Sequence, residues 1–396
     1  MPRPVLELAD IFRQHGAAYR AAHRLPPQQL RVMRAIEACR TATLGGHVEE
    51  CSQCAHLRVS YNSCRNRHCP KCQNSERVRW LANRQQELLP AEYFHVVFTL
   101  PAEIAAIAFY NQELLYRMLF HAAAETLLTI ARDPKHLGAE IGFFAILHTW
   151  GQNLLFHPHL HFVVPGGGLS SDHSRWVACP PGFFLPVRVL SRLFRRLFLE
   201  ALQQAYQSGK LKFFAELQPL RDEARFSDYL APPRQAEWVV YAKPPFGGPQ
   251  QVLAYLGRYT HRVAISNQRL LHHHDGNVTF QWKDYRRKGR EKSRQMTLAS
   301  GEFIRRFLLH TLPHRFPRIR HFGFLANRHR RQRLALCRQL LFSQVTELLP
   351  ESAACHQVSQ ALDQTPLRCP KCAQGILVHV RFLPAYRWPA QPPDTS

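Results

Sequence analysis

The chain has 396 residues, enough for a sizeable core and two or three domains, and its hydrophobic content of 45% is ordinary for a globular protein. Its charge is not ordinary: 52 basic residues against 28 acidic ones give a formal charge of +24, and only nine of the basic residues are lysine. Arginine grips phosphate oxygens bidentately and stacks on bases, so this balance points to a polyanionic partner, nucleic acid first; GC-rich coding would favour arginine over lysine but would not remove acids. The N-terminal "MPRPVLELADIFRQHG" lacks the apolar core of a signal peptide and no stretch approaches the ~20 apolar residues of a membrane span, so a cytosolic chain with reduced thiols is expected.

In chain order, "PPQQLRVMRAIEACR" has helical spacing with proline near its start. A cysteine-rich stretch follows. Cys51-x2-Cys54 and Cys69-x2-Cys72 are two knuckles separated by fourteen residues, close to the spacing of a zinc ribbon in which each knuckle gives two thiolates to one tetrahedral Zn2+. Cys39, His47, Cys64 and His68 are spare ligands, able to form a second site or to replace a member of the first. Such an ion folds a module too small to bury much core, and Arg65, Arg67 and Lys71 on its loop are then candidates to meet DNA.

Next, "NSERVRWLANRQQELLP" reads as a helix from Asn74 or Ser75 to Pro90, and "YFHVVFTLP" from Tyr93 as a strand. Residues 102–133 read as one long helix, then "AEIGFFAILHTW" and "HLHFVVP" as a hairpin joined through "GQNLLFHP". Residues 186–208 are helical in pattern, and "AEWVVYAKP" is a strand stopped by Pro244. "PQQVLAYLGRYTHR" from Pro249 is a helix, and "NQRLLHHHDGNVTFQWKDY" a hairpin turning at Asp275-Gly276. Beyond about residue 345 the composition is that of a less ordered tail, ending in a proline-rich stretch. The alternation of hairpins and long helices defines an α+β fold, with an antiparallel or mixed central sheet flanked by helices and a small helical zinc-ribbon-like module before it.

The chemistry concentrates in two places. In "HPHLHFVVPGGG", His157, His159 and His161 share one face of a strand, a row suited to a divalent ion. Tyr255 and Tyr259, one helical turn apart, project from one face beside Arg258 and Arg262, whose charge favours an ionised phenol. An ion on His159 and His161 would polarise a phosphodiester, and a tyrosine could then attack phosphorus, leaving a covalent phosphotyrosine and a free 3′-hydroxyl. Because the aryl phosphate retains the energy of the bond, the step reverses with a different 3′ end, which is strand transfer. A second tyrosine permits a second cleavage while the first end is held.

His159-Leu160-His161 resembles the motif of the HUH nucleases, and "YLGRY" their two-tyrosine motif. Together with "SCRNRHCPKC", "YLGRYTHRVAIS" and "EFIRRFLLHTLPHRFPRIRHFGFLANRHRR", these segments resemble, in the same order from about residue 5 to 345, the rolling-circle transposases of the insertion-sequence-91 family. The resemblance implies an HUH/Rep-like domain over residues 91–345 with a helical insertion around 186–230, a zinc-binding DNA-contacting domain over 1–90, and a tail over 346–396. It implies a bacterial, cytoplasmic, nucleoid-associated enzyme that nicks and rejoins single-stranded DNA at the ends of its mobile element, with Mg2+ or Mn2+ as catalytic ion. Tyr255 and Tyr259 match the nucleophiles, and His159 and His161 the metal pair. The third ligand is open among Gln152, which sits where several replication initiators place an acidic ligand, His157, and, less favoured, His148.

Trp282 and Lys283, with Arg286, Arg287, Lys288 and Arg290, combine rings for stacking with charge for a backbone, as single-strand binding requires. Near the end Cys369-x2-Cys372 is a knuckle without an obvious partner; Cys355 and His356 could complete a site there, or the knuckle binds nothing. Two other functions use the same residues: a zinc-ribbon nucleic-acid-binding regulator with structural histidines and tyrosines, and a metal-dependent phosphodiester hydrolase, which would want a further carboxylate or histidine near His161.

Overall fold

In a computed structural model, residues 6–243, 251–252, 255, 257, 263–284, 293–346 and 368–386 are described. Two N-terminal helices, α1 (Leu8–Ala22) and α2 (Pro27–Ala38), bury Phe12, Met33 and Ile36 between them, with Pro27 at the first position of α2, where its missing N–H is not needed. Strands β1 (Gly46–Cys51) and β2 (Leu57–Tyr61) follow, then α3 (Pro70–Gln85). This helix starts four residues before the expected Asn74, because Cys69 is its N-cap and Pro70 its first residue. Next come β3 (Tyr93–Thr99), α4 (Ala102–Tyr110) and α5 (Gln112–Arg132). The expected single helix is thus two. Asn111 leaves helical geometry, and its side chain donates to the carbonyls of Ile107 and Lys212 and accepts from the Lys212 N–H.

Strands β4 (Gly142–Trp150) and β5 (Phe156–Pro165) form the expected hairpin, and β6 (Gly167–Leu169) pairs with β7 (Trp176–Ala178). A side chain at Gly167, whose φ is +155°, would strike the Trp176 ring and the Val177 carbonyl, so the close approach made by this glycine is to the protein's own backbone. Helices α6 (Val187–Gln207) and α7 (Glu223–Gln235) precede β8 (Val240–Lys243). A three-stranded sheet of β9 (Leu270–His274), β10 (Asn277–Lys283) and β11 (Ser293–Ala299) turns at Asp275-Gly276, both with positive φ, as the dipeptide foretold. A helix (Ser300–Leu308), β12 (Ile319–Gly323), a last helix (Arg330–Thr346) and β13 (Leu377–Leu383) complete the described elements.

The centre is an antiparallel sheet of order β12-β4-β5-β3-β8, so the α+β expectation with an HUH-like antiparallel sheet holds. One face carries Phe94, Phe98, Phe143, Leu147, Leu160 and Phe162, buried under α4, α5 and α6. The opposite face is partly covered: Tyr93, Phe144, Ile146 and Val163 pack with Val252 and Tyr255. Between those apolar residues and the hairpin end of the sheet lie the histidines. The C-terminal tail is not separate from the N-terminal module, for β13 pairs with β1 in a sheet of order β13-β1-β2. Among the described residues no helix is long and apolar enough to cross a membrane.

Candidate active site

The register of the central hairpin decides which histidines meet. His159 on β5 lies directly opposite His148 on β4, and His161 opposite Ile146, so His148, His159 and His161 share a face. Their ligand nitrogens all lie within 4.8 Å of one another. A one-residue irregularity separates the pair His148–His159 from the pair Trp150–Phe156, and the extra residue sits on β5. Two expectations are corrected. The ring of His157 lies 5.3 Å from that of His159, but His157 is not in the group of converging nitrogens, and it lines a neighbouring 560 Å3 cavity with Phe109, Phe156 and Trp238. The regular part of the ladder sets His148, the least favoured third ligand, directly opposite His159. Gln152 is not on the strand at all: it lies in the turn after β4, where its carbonyl accepts from Arg269.

Neighbouring groups orient the imidazoles. His159 Nδ1–H donates to the His157 carbonyl at 2.7 Å, which leaves Nε2 as the ligand atom. His161 Nδ1 lies 2.8 Å from Nε2 of His95, a β3 residue that sequence reading passed over as part of an apolar strand. His95 Nε2 is also 2.6 Å from the Tyr255 hydroxyl. Its ring stacks on His161 with centroids 5.1 Å apart and tilts against Tyr255 at 4.6 Å. Burial first, then the charge of Lys243 and the neighbouring His159, lowers the His95 pKa to about 3, so the bridging imidazole is neutral at physiological pH. The phenol and the histidine group thus converge on one atom, His95 Nε2, between β3 and β5.

Three imidazoles with nitrogens this close suit a divalent ion, and three protein ligands leave further positions for phosphate oxygens or water. Tyr255 lies on helical backbone and is 9% exposed, so its hydroxyl is directed at the histidines and not at bulk solvent. Tyr259, Arg258 and Arg262 fall outside the described residues, as do Arg286, Arg287, Lys288 and Arg290. Of the expected DNA-contacting hairpin, Trp282 is half-buried on β10 opposite Arg294, and Lys283 is exposed.

The cysteines pair differently from the expectation. Cys51 and Cys54 do not meet Cys69 and Cys72. One group is Cys39, Cys64, Cys69 and Cys72; the other is Cys51, Cys54, Cys369 and Cys372. The first gathers at the end of α2 and the start of α3, with Cys72 Sγ 3.6 Å from Cys39 and 3.5 Å from Cys64. Hydrogen bonds from the Cys39, Cys64 and Cys69 thiols hold the Cys72 thiol far below its ordinary pKa. His68 is not a ligand in either group. It is buried beside Arg67 and Arg318, its Nε2 accepts from the Leu312 N–H at 3.4 Å, and burial lowers its pKa to about 3. Arg67 and Lys71, expected to face DNA, are engaged within the protein, Arg67 with the carbonyls of Pro313 and Phe316 and Lys71 with Glu7. Cys355 and His356 lie outside the described residues.

A thiolate module of zinc-binding type beside an antiparallel sheet bearing clustered histidines and a tyrosine is the arrangement the site presents, and similarity to known proteins gives its class. Residues 142–333 match a family described as "Putative transposase", and residues 11–100 match the "Transposase zinc-binding domain" of insertion-sequence-91 elements. The chain is 58% identical over its whole length, and the whole of the relative's, to a protein named "Putative transposase y4qJ" from Sinorhizobium fredii. It is 29% identical, over 85% of this chain and 79% of the relative, to the transposase for insertion sequence element IS801 from Pseudomonas savastanoi pv. phaseolicola. No solved structure matches. The chain belongs to the insertion-sequence-91 family of transposases.

Proposed function

We propose that this transposase cuts and rejoins single-stranded DNA at the ends of its mobile element through a covalent 5′-phosphotyrosine, in a rolling-circle route within the bacterial cytoplasm. The observation that carries the reading is the convergence of Tyr255 Oη and His161 Nδ1 on His95 Nε2, at 2.6 and 2.8 Å, which puts a phenol beside a three-histidine metal group. His148, His159 and His161 would hold Mg2+ or Mn2+, which supplies charge stabilisation to the scissile phosphate. The Tyr255 oxygen attacks phosphorus as its proton leaves; the new O–P bond forms as the bond to the 3′ oxygen breaks, and that oxygen takes up a proton as a free 3′-hydroxyl. His95, neutral and 2.6 Å away, positions the phenol and accepts its hydrogen bond. Attack by another 3′-hydroxyl reverses the step and joins strands, with Tyr259 serving a second cleavage.

Cys39, Cys64, Cys69 and Cys72 hold a structural Zn2+ that fixes the start of α3. Trp282 and Lys283, with Arg258, Arg262, Arg286, Arg287, Lys288 and Arg290, contact the strand through stacking and charge.

The test is a 5′- and 3′-labelled single-stranded oligonucleotide from the element's end, mixed with protein and Mn2+ and then denatured. A DNA–protein adduct that survives denaturation in wild type, and disappears in Tyr255→Phe/Tyr259→Phe and in His159→Ala/His161→Ala, supports the reading. Hydrolysis without an adduct, or binding without cleavage, overturns it.

A further inference from the structure

The second thiolate group lies outside the reaction and joins residues more than three hundred positions apart in sequence. Cys51 and Cys54 come from the end of β1 and its turn; Cys369 and Cys372 come from the segment leading into β13. Cys51 Sγ is 3.6 Å from Cys372 Sγ, and Cys54 Sγ is 3.6 Å from Cys369 Sγ. A disulfide needs about 2.05 Å. Four sulfurs at ~2.3 Å from one tetrahedral zinc stand about 3.8 Å apart, close to the spacing observed.

The two knuckles also match each other as turns. The Gln53 N–H points at Cys51 Sγ at 3.5 Å, and the Lys371 N–H points at Cys369 Sγ at 3.4 Å. Ala55 and Ala373, each directly after the second cysteine of its knuckle, both adopt left-handed backbone, at φ +51° and +57°. That geometry is strained for alanine and persists where its surroundings enforce it. The Gly375 N–H adds a hydrogen bond to Cys372 Sγ at 3.4 Å. A side chain at Gly375 would lie 2.4 Å from Cys51 Sγ, so the position admits only glycine where the two knuckles face.

Apolar burial does little to hold the C-terminal strand: Val378, Val380 and Phe382 on β13 are 47%, 50% and 79% exposed. Ladder pairs to β1, the reciprocal hydrogen bonds of Ser52 and Ile376 and the His47–His379 ring contact attach it, and all of these form between segments far apart in the chain.

We infer that Cys51, Cys54, Cys369 and Cys372 bind a second structural zinc ion, which clamps the C-terminal strand into the N-terminal module and makes the zinc-bearing unit out of both ends of the chain. The proposal is independent of the tyrosine chemistry. It takes a tetrathiolate-preferring divalent cation, with no open position and no part in cleavage.

The experiment counts ions on the full-length protein, purified under reducing conditions, by elemental and native mass spectrometry. Wild type is expected to carry two tightly held zinc ions per chain, and Cys369→Ser/Cys372→Ser one. Cys372→His preserves a four-ligand site, so it retains two ions, and after cobalt substitution its visible bands shift towards those of a three-thiolate, one-imidazole site. Hydrogen exchange supplies a readout on the unmutated protein: graded chelation that removes the second ion speeds exchange across 377–383 while 142–165 stays protected. One ion in wild type, two ions retained in Cys369→Ser/Cys372→Ser, or exchange across 377–383 indifferent to metal would each overturn the clamp. Loss of DNA–tyrosine adduct with two ions still bound would count against the proposed reaction alone.

Discussion

The histidine face and the thiolate groups are both metal-type donor sets, yet they are built in opposite ways. Each thiolate group offers four donors, drawn from turns and helix ends, and so closes around an ion. The histidine group offers three donors from the two central strands of the sheet, backed by the apolar packing of Phe143, Leu147, Leu160 and Phe162 on the other side. Three ligands on a sheet face would leave room for a phosphate; four drawn from turns and helix ends would leave none. Number and placement of donors separate a site for chemistry from a site for folding, without reference to the ion.

That contrast can be broken at the third histidine, where the largest effect is expected. His148→Ala removes one of three ligands and is expected to slow adduct formation by on the order of 10²–10³-fold, measured as single-turnover rate against Mn2+ concentration, with the metal requirement shifted upward. Gln152→Ala, on the turn outside the group, is expected to stay within about twofold of wild type, since a surface substitution away from a site does little. Equal losses in the two variants would show that the histidine group is not the ligand set.

A smaller effect sharpens the same comparison at His95, which touches ligand and phenol but is not in the metal group. His95→Phe keeps an aromatic ring and removes both hydrogen bonds, and a partner that hydrogen-bonds a metal ligand is worth about 10–100-fold in metal affinity or activity. Reduced apparent Mn2+ affinity together with a slower rate at saturating metal marks a positioning role toward both neighbours. A loss of stability alone would mark His95 as packing.

What the sequence disclosed of these sites follows from what a local pattern can encode. The His159–His161 pair, the Asp275-Gly276 turn and the separate CxxC knuckles are all short-range, and each stands where its pattern put it. The register of β4 on β5 is not short-range: it sets His148 opposite His159, while the extra residue on β5 interrupts the ladder before His157, which stays outside the group. His95 was hidden because period-two alternation in "YFHVVFTLP" says which face it takes, not that His161 and Tyr255 arrive at that face from elsewhere. The partner of Cys369 and Cys372 was invisible for the same reason, since nothing in a knuckle names the knuckle it will meet. The signal that could have found it is that Cys39 and Cys64 can complete a four-thiol set with Cys69 and Cys72, which releases Cys51 and Cys54 for the distant knuckle.

The smallest effect concerns stability and not chemistry, and it tests how the hairpin holding His148 against His159 is braced. His310 is buried behind the turn: its Nε2–H donates to the Leu154 carbonyl at 3.1 Å, and its Nδ1 accepts from the Thr149 hydroxyl at 3.2 Å. Burial lowers its pKa from 6.5 to about 4, the backbone carbonyls of Leu154 and Thr149 opposing only in part. In the unfolded chain the imidazole takes a proton below about pH 6.5, and in the folded one only near pH 4, so the unfolded state binds more protons in that window. The neutral-histidine contribution is therefore intact above pH 6.5 and is lost progressively as the pH falls towards 4. Between pH 7 and 5 it amounts to about 2 kcal/mol. His310→Gln has no titrating group, so the variant should be less stable than wild type at pH 7 and should close about that much of the gap by pH 5, read as the difference in denaturation midpoints at each pH. Parallel stability curves for the two proteins would mean that the turn is not held by a neutral His310, and that the alignment of His148 with His159 is kept by the strands alone.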